Sequence, residues 1–321
     1  MRLKLSFANC QMDLEKWQTQ VRSKLLELTY FDDIPKESWE LTETTEKEVN
    51  GVLRRRHLVR YGDWEPQPIY ESLPVSGKLN GITMVAFHGH GDETFCEFYN
   101  YLTELPRRGY RFITPILFGH MERQTLPLGK CFPTEYCREW MLDADKLGVS
   151  LLAMRLLDSR LAYEFALSLS EVNPEKIGCI GLSMGGELAM YLAAIEPGIK
   201  FSISAGFLST FEGFLMGKYG GKRGCHCYSI RSWPKWFEMP DIVGCIAPRP
   251  LLALKGRTDP CFSTENVEEA VRQVGEIYEA FDASENFQYQ TYPGEHCLNE
   301  DIADEWLRRL LLHKSLTNRK D

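Results

Sequence analysis

Apolar positions in this chain repeat with two periods, and the switching between them sets the expected architecture. From Met12 to Phe31, Leu14, Trp17, Val21, Leu25 and Leu28 recur every three or four residues, the stripe of an amphipathic helix. Residues 50–61 and 67–75 then carry strand-like runs, Val52-Leu53 with Leu58-Val59 and Ile69-Tyr70, around the turn-rich Gly62-Asp63-Trp64-Glu65-Pro66. That pattern predicts a hairpin. Gly81-Ile82-Thr83-Met84-Val85-Ala86-Phe87 is a continuous apolar run, as expected for a strand buried on both faces of a parallel sheet. Beyond it the pattern predicts a helix near 93–107, a strand over 110–116, a helix over 145–170, a strand over 176–181, a helix over 184–196 and a strand over 200–205. A strand over 250–254, a helix over 264–281, a strand over 286–292 and a helix over 299–313 follow. Such alternation implies βαβ units, an α/β domain whose mostly parallel central sheet carries helices on both faces. Residues 1–48 read as a helical extension packed on a core made by residues 49–321.

Two connections break this rhythm, residues 117–144 and 206–239, and loops so long are usually functional or carry structure of their own. Both are expected to wall a substrate site. The second holds Phe207, Phe211, Phe214, Tyr219, Tyr228, Trp233, Trp236 and Phe237, enough aromatic surface to line a pocket or to form a small packed subdomain. Within 151–169, Leu152, Met154, Leu157, Leu161 and Phe165 read as core packing.

The strongest chemical signal is Gly181-Leu182-Ser183-Met184-Gly185-Gly186, a G-x-S-x-G match where an apolar strand meets an alanine-rich helix. A nucleophile on such a turn needs small neighbours so that its hydroxyl stands clear of the sheet. A serine hydroxyl is a weak nucleophile at neutral pH. It needs a base within hydrogen-bond reach and a third group to orient that base. In the α/β-hydrolase fold the chain order is serine, acid, histidine. Asp259 lies in Arg257-Thr258-Asp259-Pro260 after the strand at 250–254, and His296 in Pro293-Gly294-Glu295-His296-Cys297 after the last strand. Of the histidines beyond Asp259, His313 ends the terminal helix, where a cation suits the helix dipole, so His296 is the expected base. Asp241 and Glu295 compete with Asp259 for the acid. Stabilising the tetrahedral oxyanion takes preorganised N–H donors. Met184, next after the nucleophile, supplies one, and His90 in His88-Gly89-His90-Gly91 is the expected second.

No metal or cofactor is expected. The imidazoles of His88 and His90 lack an acidic partner at ligand spacing, and Cys225-His226-Cys227 lacks a second ligand pair, so its cysteines read as free thiols. The net charge of -8 and the isoelectric point near 5.5 argue against a nucleic-acid partner, which needs clustered Lys and Arg. The one basic run, Arg54-Arg55-Arg56-His57, reads as a solvated strand edge. No run of about 18 apolar residues offers a membrane span, and no signal segment is evident. Ten scattered cysteines suit a reducing cytoplasm. Oligomeric state is not readable.

These features together resemble the dienelactone hydrolase and acetyl-xylan-esterase-like branch of the α/β-hydrolase superfamily, over residues 12 to 310. The resemblance rests on the leading helix with Trp17 and Leu25-Leu26, on Phe87-His88-Gly89-His90-Gly91, on Ile180-Gly181-Leu182-Ser183-Met184-Gly185-Gly186, and on Ile246-Ala247-Pro248-Arg249-Pro250-Leu251-Leu252. It implies a cofactor-free carboxylesterase acting on a small-molecule ester, often an acetylated carbohydrate. A thioesterase, amidase, peptidase or acyltransferase with the same three residues, and a non-catalytic binding protein on the same scaffold, are the alternatives.

Overall fold

The structure, a computed structural model, describes residues 3–34, 37–76, 78–90, 104–123, 133–211, 213 and 230–317. Among these, the strands are β1 (Trp39–Val49), β2 (Val52–Tyr61), β3 (Gln67–Pro74), β4 (Thr83–Phe87), β5 (Arg111–Pro115), β6 (Ile177–Leu182), β7 (Ser202–Ala205), β8 (Leu251–Gly256) and β9 (Phe287–Tyr292). The helices are α1 (Leu14–Thr29), α2 (Glu104–Arg107), α3 (Pro133–Lys146), α4 (Leu151–Ser168), α5 (Met184–Ile195), α6 (Met239–Gly244), α7 (Thr264–Ala280) and α8 (Glu300–Thr317). One nine-stranded sheet runs β1-β2-β3-β5-β4-β6-β7-β8-β9. The pairings from β1 to β5 are antiparallel, and those from β5 to β9 are parallel.

Strand alternation splits the core between the faces of the sheet. Val85, Phe87 and Cys179 join the larger cluster with α1, α4, α5 and α7, whereas Met84, Ala86 and Ile180 join the smaller one with Leu105 of α2 and Trp306 of α8. The predicted α/β layers are therefore present. The α1 stripe is also as expected, with Trp17, Val21 and Leu25 fully buried. Polar clamps fix it in place. Gln18 Nε2 donates to the carbonyls of Gly244 (3.0 Å) and Ala247 (2.7 Å), and Arg22 donates to those of Ala194 and Cys245 (2.7 Å each).

Three local expectations need correction. First, the hairpin has an additional strand, β1. It is exposed over nearly its whole length, so it lacks the apolar alternation that marks a half-buried strand. Asn50 and Gly51 close its turn to β2 with φ of 51° and 73°, the left-handed pair of a two-residue hairpin loop. Second, the basic run is not a solvated edge. It lies on β2, interior to the sheet, with Arg54 and His57 buried. Arg54 bonds Ser72, Arg55 pairs with Glu46 and Glu71, and Arg56 pairs with Glu122. Third, the helix expected over 145–170 starts at Leu151. Gly148 turns the chain at φ 79°, and Ser150 caps the new helix by accepting from Ala153 N–H (3.0 Å), so α3 occupies the end of the 117–144 connection. No helix among the described residues is long and apolar enough to cross a membrane.

Strand order reverses between β4 and β6: the chain proceeds from β4 outward to β5, then returns to place β6 on the other side of β4. In open α/β sheets the crevice at such a switch point, beyond the carboxyl ends of the strands, is where ligands bind. Ser183 follows β6 there.

Candidate active site

The β6–α5 turn is held in a conformation that side chains resist. Ser183 has φ 58° and ψ -122°, a sparsely populated region that costs of order 1–3 kcal/mol and persists only where the surroundings impose it. Those surroundings are tight. A Cβ on Gly181 would lie 2.1 Å from the Gly185 oxygen, and one on Gly185 would lie 2.0 Å from the Phe87 oxygen. Both glycines are thus required by close backbone approach, and the second contact presses the end of β4 and its following loop against the elbow. His88, His90 and Met184 are in that region. Met184 begins α5, where N–H groups lack intrahelical partners.

Asp259 and His296 come together from separate loops. Nδ1 of His296 lies 2.8 Å from Asp259 Oδ2, and since an ionised carboxylate only accepts, Nδ1 carries the proton and Nε2 is left with a lone pair. Burial pushes the Asp259 carboxyl up, but the hydrogen bond and charge of His296, the Cys261 N–H (2.8 Å) and Lys255 outweigh it and leave the group below its ordinary range. It is therefore ionised at neutral pH. Asp241 and Glu295 do not take this place. Asp241 is buried at the start of α6, accepting from Phe7 N–H (2.7 Å) and Glu238 N–H (2.8 Å), and Glu295 is exposed.

Gly206 joins the two halves of the arrangement. Ser183 N–H donates to Ala205 O at 2.8 Å, and a Cβ on the next residue, Gly206 (φ 64°), would stand 2.8 Å from His296 Cε1 and 3.2 Å from Asp259 Oδ2. Ser183 and the His–Asp pair are thus one peptide apart across the end of β7. No hydrogen bond closes between them: Nε2 of His296 is buried without a partner among the described residues. Such bonds are often long without substrate and tighten in the complex.

Sequence reasoning passed over several neighbours. Gly206 carries no motif. Lys255 is buried at the end of β8 and its Nζ donates to the carbonyls of Asp259 (3.1 Å) and Phe262 (3.3 Å), which fixes the acid loop. Glu187, one turn into α5, is fully buried, and that burial pushes its carboxyl well above the ordinary range despite the nearby Arg155 charge. His88 is also buried, which lowers it to about 4; it donates from Nδ1 to Gly89 O (2.8 Å) and accepts Leu117 N–H at Nε2 (3.4 Å). It is a neutral structural imidazole. Of the aromatic residues expected to line a pocket, Phe207, Phe211 and Phe237 are buried in the main core, whereas Phe214, Tyr219 and Tyr228 lie outside the described residues, as does Cys225-His226-Cys227. Asp259, Cys261 and His296 form a group whose O, S and N donors all lie within 4.8 Å of one another.

The Abhydrolase family matches residues 146–303, from just before α4 to the start of α8. The chain has the α/β-hydrolase fold, and this central stretch matches that family. The "Putative hydrolase YtaP" of Bacillus subtilis (strain 168) is 28% identical over 207 residues, which are 64% of this chain and 66% of that protein, just under two thirds of its length. Among solved structures, the "putative acetyl xylan esterase" of Bacteroides fragilis NCTC 9343 superposes with a TM-score of 0.72 at 16% identity, covering 92% of this chain and 88% of that one. A glucuronoyl esterase from Solibacter usitatus gives 0.66 at 14% identity, covering 96% of each. These likenesses extend the α/β-hydrolase fold over nearly the whole chain.

Proposed function

We propose that this α/β-hydrolase is a serine esterase that cleaves a carboxylic ester, with acetyl or another short acyl group, through an acyl-enzyme on Ser183. The observation that carries the reading is the strained Ser183 turn set one peptide from a His296–Asp259 hydrogen bond. Nε2 of His296 takes the Ser183 proton as the hydroxyl attacks the ester carbonyl, and Asp259 keeps Nδ1 protonated and stabilises the imidazolium. The N–H groups of Met184 and His90 receive the oxyanion, each contributing on the order of 3 kcal/mol. His296 then hands its proton to the leaving alcohol, and a water repeats the sequence in reverse to release the acid. This chemistry calls on no metal or cofactor. The proteins named as acetyl xylan and glucuronoyl esterases support an ester over a thioester or amide.

A fluorophosphonate probe tests the nucleophile, and p-nitrophenyl esters from acetate to laurate test the acyl group. Labelling mapped to Ser183, with the highest kcat/KM at short chains, is expected. An unlabelled protein, or a maximum at ten carbons or more, overturns the corresponding part of the reading.

A further inference from the structure

We propose that Asp259, Cys261 and His296 form an inhibitory site for a thiophilic divalent cation such as zinc, so that this esterase is switched off by metal binding to its own acid–base pair. The inference rests on the roles proposed above for Asp259 and His296, whereas the Cys261 thiol, unlike its backbone N–H, has no part in that chemistry. The turn Asp259-Pro260-Cys261 is tightly wound, with Cys261 N–H donating to Asp259 Oδ1 at 2.8 Å. It brings the thiol near the carboxylate, while His296 meets the same carboxylate from the loop after β9. The result is one carboxylate oxygen, one sulfur and one ring nitrogen, all within 4.8 Å of one another. Tetrahedral zinc at about 2.0–2.3 Å from each donor sets the donors roughly 3.3–3.7 Å apart, so the wider gaps of the set close while the Nδ1–Oδ2 hydrogen bond opens, with water as the fourth ligand.

The exchange balances simply. The Cys261 S–H bond breaks, its proton goes to solvent and a sulfur–metal bond forms; Asp259 is already ionised and His296 stays neutral. One proton is therefore released per ion, and the dication is neutralised by one carboxylate and one thiolate. Coordination removes the base: metal on Nδ1, the ring nitrogen that faces Asp259, displaces the proton held there to Nε2 and leaves the imidazole in the tautomer that cannot accept.

Cobalt(II) serves as the spectroscopic probe, added to the full-length, reduced, chelator-stripped protein, beside inhibition by buffered free zinc. Wild type is expected to show a thiolate-to-cobalt charge-transfer band with one proton released per ion, and zinc should abolish esterase activity that EDTA then restores. Cys261→Ala and Cys261→Ser should lose the band, keep metal-free activity within about twofold, and need at least tenfold more zinc for inhibition. Outer-shell partners alone carry about 10- to 100-fold in affinity, and Cys261 would be a direct ligand. Cys225→Ser/Cys227→Ser controls for the other thiol cluster and should change neither readout. A band that survives in both Cys261 variants, or disappears only in the Cys225/Cys227 variant, overturns the proposal. Because the cobalt spectrum does not depend on turnover, a protein with the band and no esterase activity rejects the functional reading alone, while an active esterase without the band rejects only the metal site.

Discussion

Ser183, His296 and Gly206 make the site testable one atom at a time. Since neither the proposed nucleophile nor the proposed base is useful alone, Ser183→Ala and His296→Ala should each lower kcat on a short-chain ester by factors on the order of 10⁴ to 10⁶, with the double variant little worse than either. Additive losses in the double variant would show that the two residues do not act as a unit. Gly206→Ala probes the geometry between them. Its methyl would fall 2.8 Å from His296 Cε1 on a backbone at φ 64°, so the ring must move, and a displacement of about 1 Å can cost 10²-fold. A loss of that size in kcat, with KM changed little and the protein folded by circular dichroism, is the expected result; wild-type kcat would mean that the pair tolerates displacement. Ser183, Asp259 and His296 could be proposed from the sequence because each follows a strand in the order that the fold demands, and glycines flank the serine. Gly206 was not legible. Its requirement arises from side chains that arrive from two loops distant in sequence.

At the scale of elements, the C-terminal end of α5 shows how a short sequence phrase becomes mechanical support for the serine turn at its other end. The last carbonyls of a helix have no intrahelical partner. Here Arg249, from the connection that leads into β8, donates to Ala193 O (2.6 Å) in the last turn of α5 and to Glu196 O (3.1 Å) and Ile199 O (2.6 Å) in the turn after it. Arg249→Met keeps much of the side-chain bulk but strands these buried acceptors. Since hydrogen bonds to charged groups contribute about 1.5–3 kcal/mol each and are not additive, a loss of roughly 3 kcal/mol is expected. Urea unfolding with an unchanged m-value would measure it, and a change under about 0.5 kcal/mol would demote Arg249 to a bystander. Elements that bury an apolar face, such as α1, α4, α5, α7 and α8 and the strands from β4 to β8, were readable in the sequence because burial writes a period into it, whereas α3 and α6 were not. Exposed β1 was not either, and β2, expected as a strand, was misplaced at a solvated edge, since that depends on partners: Arg55 and Arg56 look solvated until Glu46, Glu71 and Glu122 are seen beside them. The Asn50-Gly51 pair was the one local signal for β1, a known mark of a tight hairpin.

Across the whole molecule, the N-terminal segment is tied to the hydrolase core by a carboxyl that resists ionisation. Asp241, on α6, accepts from the N–H of Phe7 (2.7 Å), and Trp17 Nε1 on α1 secures the same segment through Leu5 O (2.8 Å). Burial pushes the Asp241 carboxyl up to about 7, against the opposing pull of its two backbone donors. The sign of the linkage follows: a folded-state pKa above the ordinary carboxylate value favours the neutral form, so this group's contribution to stability is full in acid and is lost as pH rises through about 7. Asp241→Asn retains an oxygen acceptor and cannot ionise. The unfolding free energy of wild type minus that of Asp241→Asn should therefore decline between pH 5 and pH 8. The total decline should be a few kcal/mol, since each unit of pKa displacement is worth about 1.4 kcal/mol. Comparing the variant at each pH cancels other buried acids such as Glu300, which burial also raises to about 7. If the difference stays constant over that range, Asp241 is ionised throughout, and the join between the N-terminal segment and α6 is an ordinary charged cap.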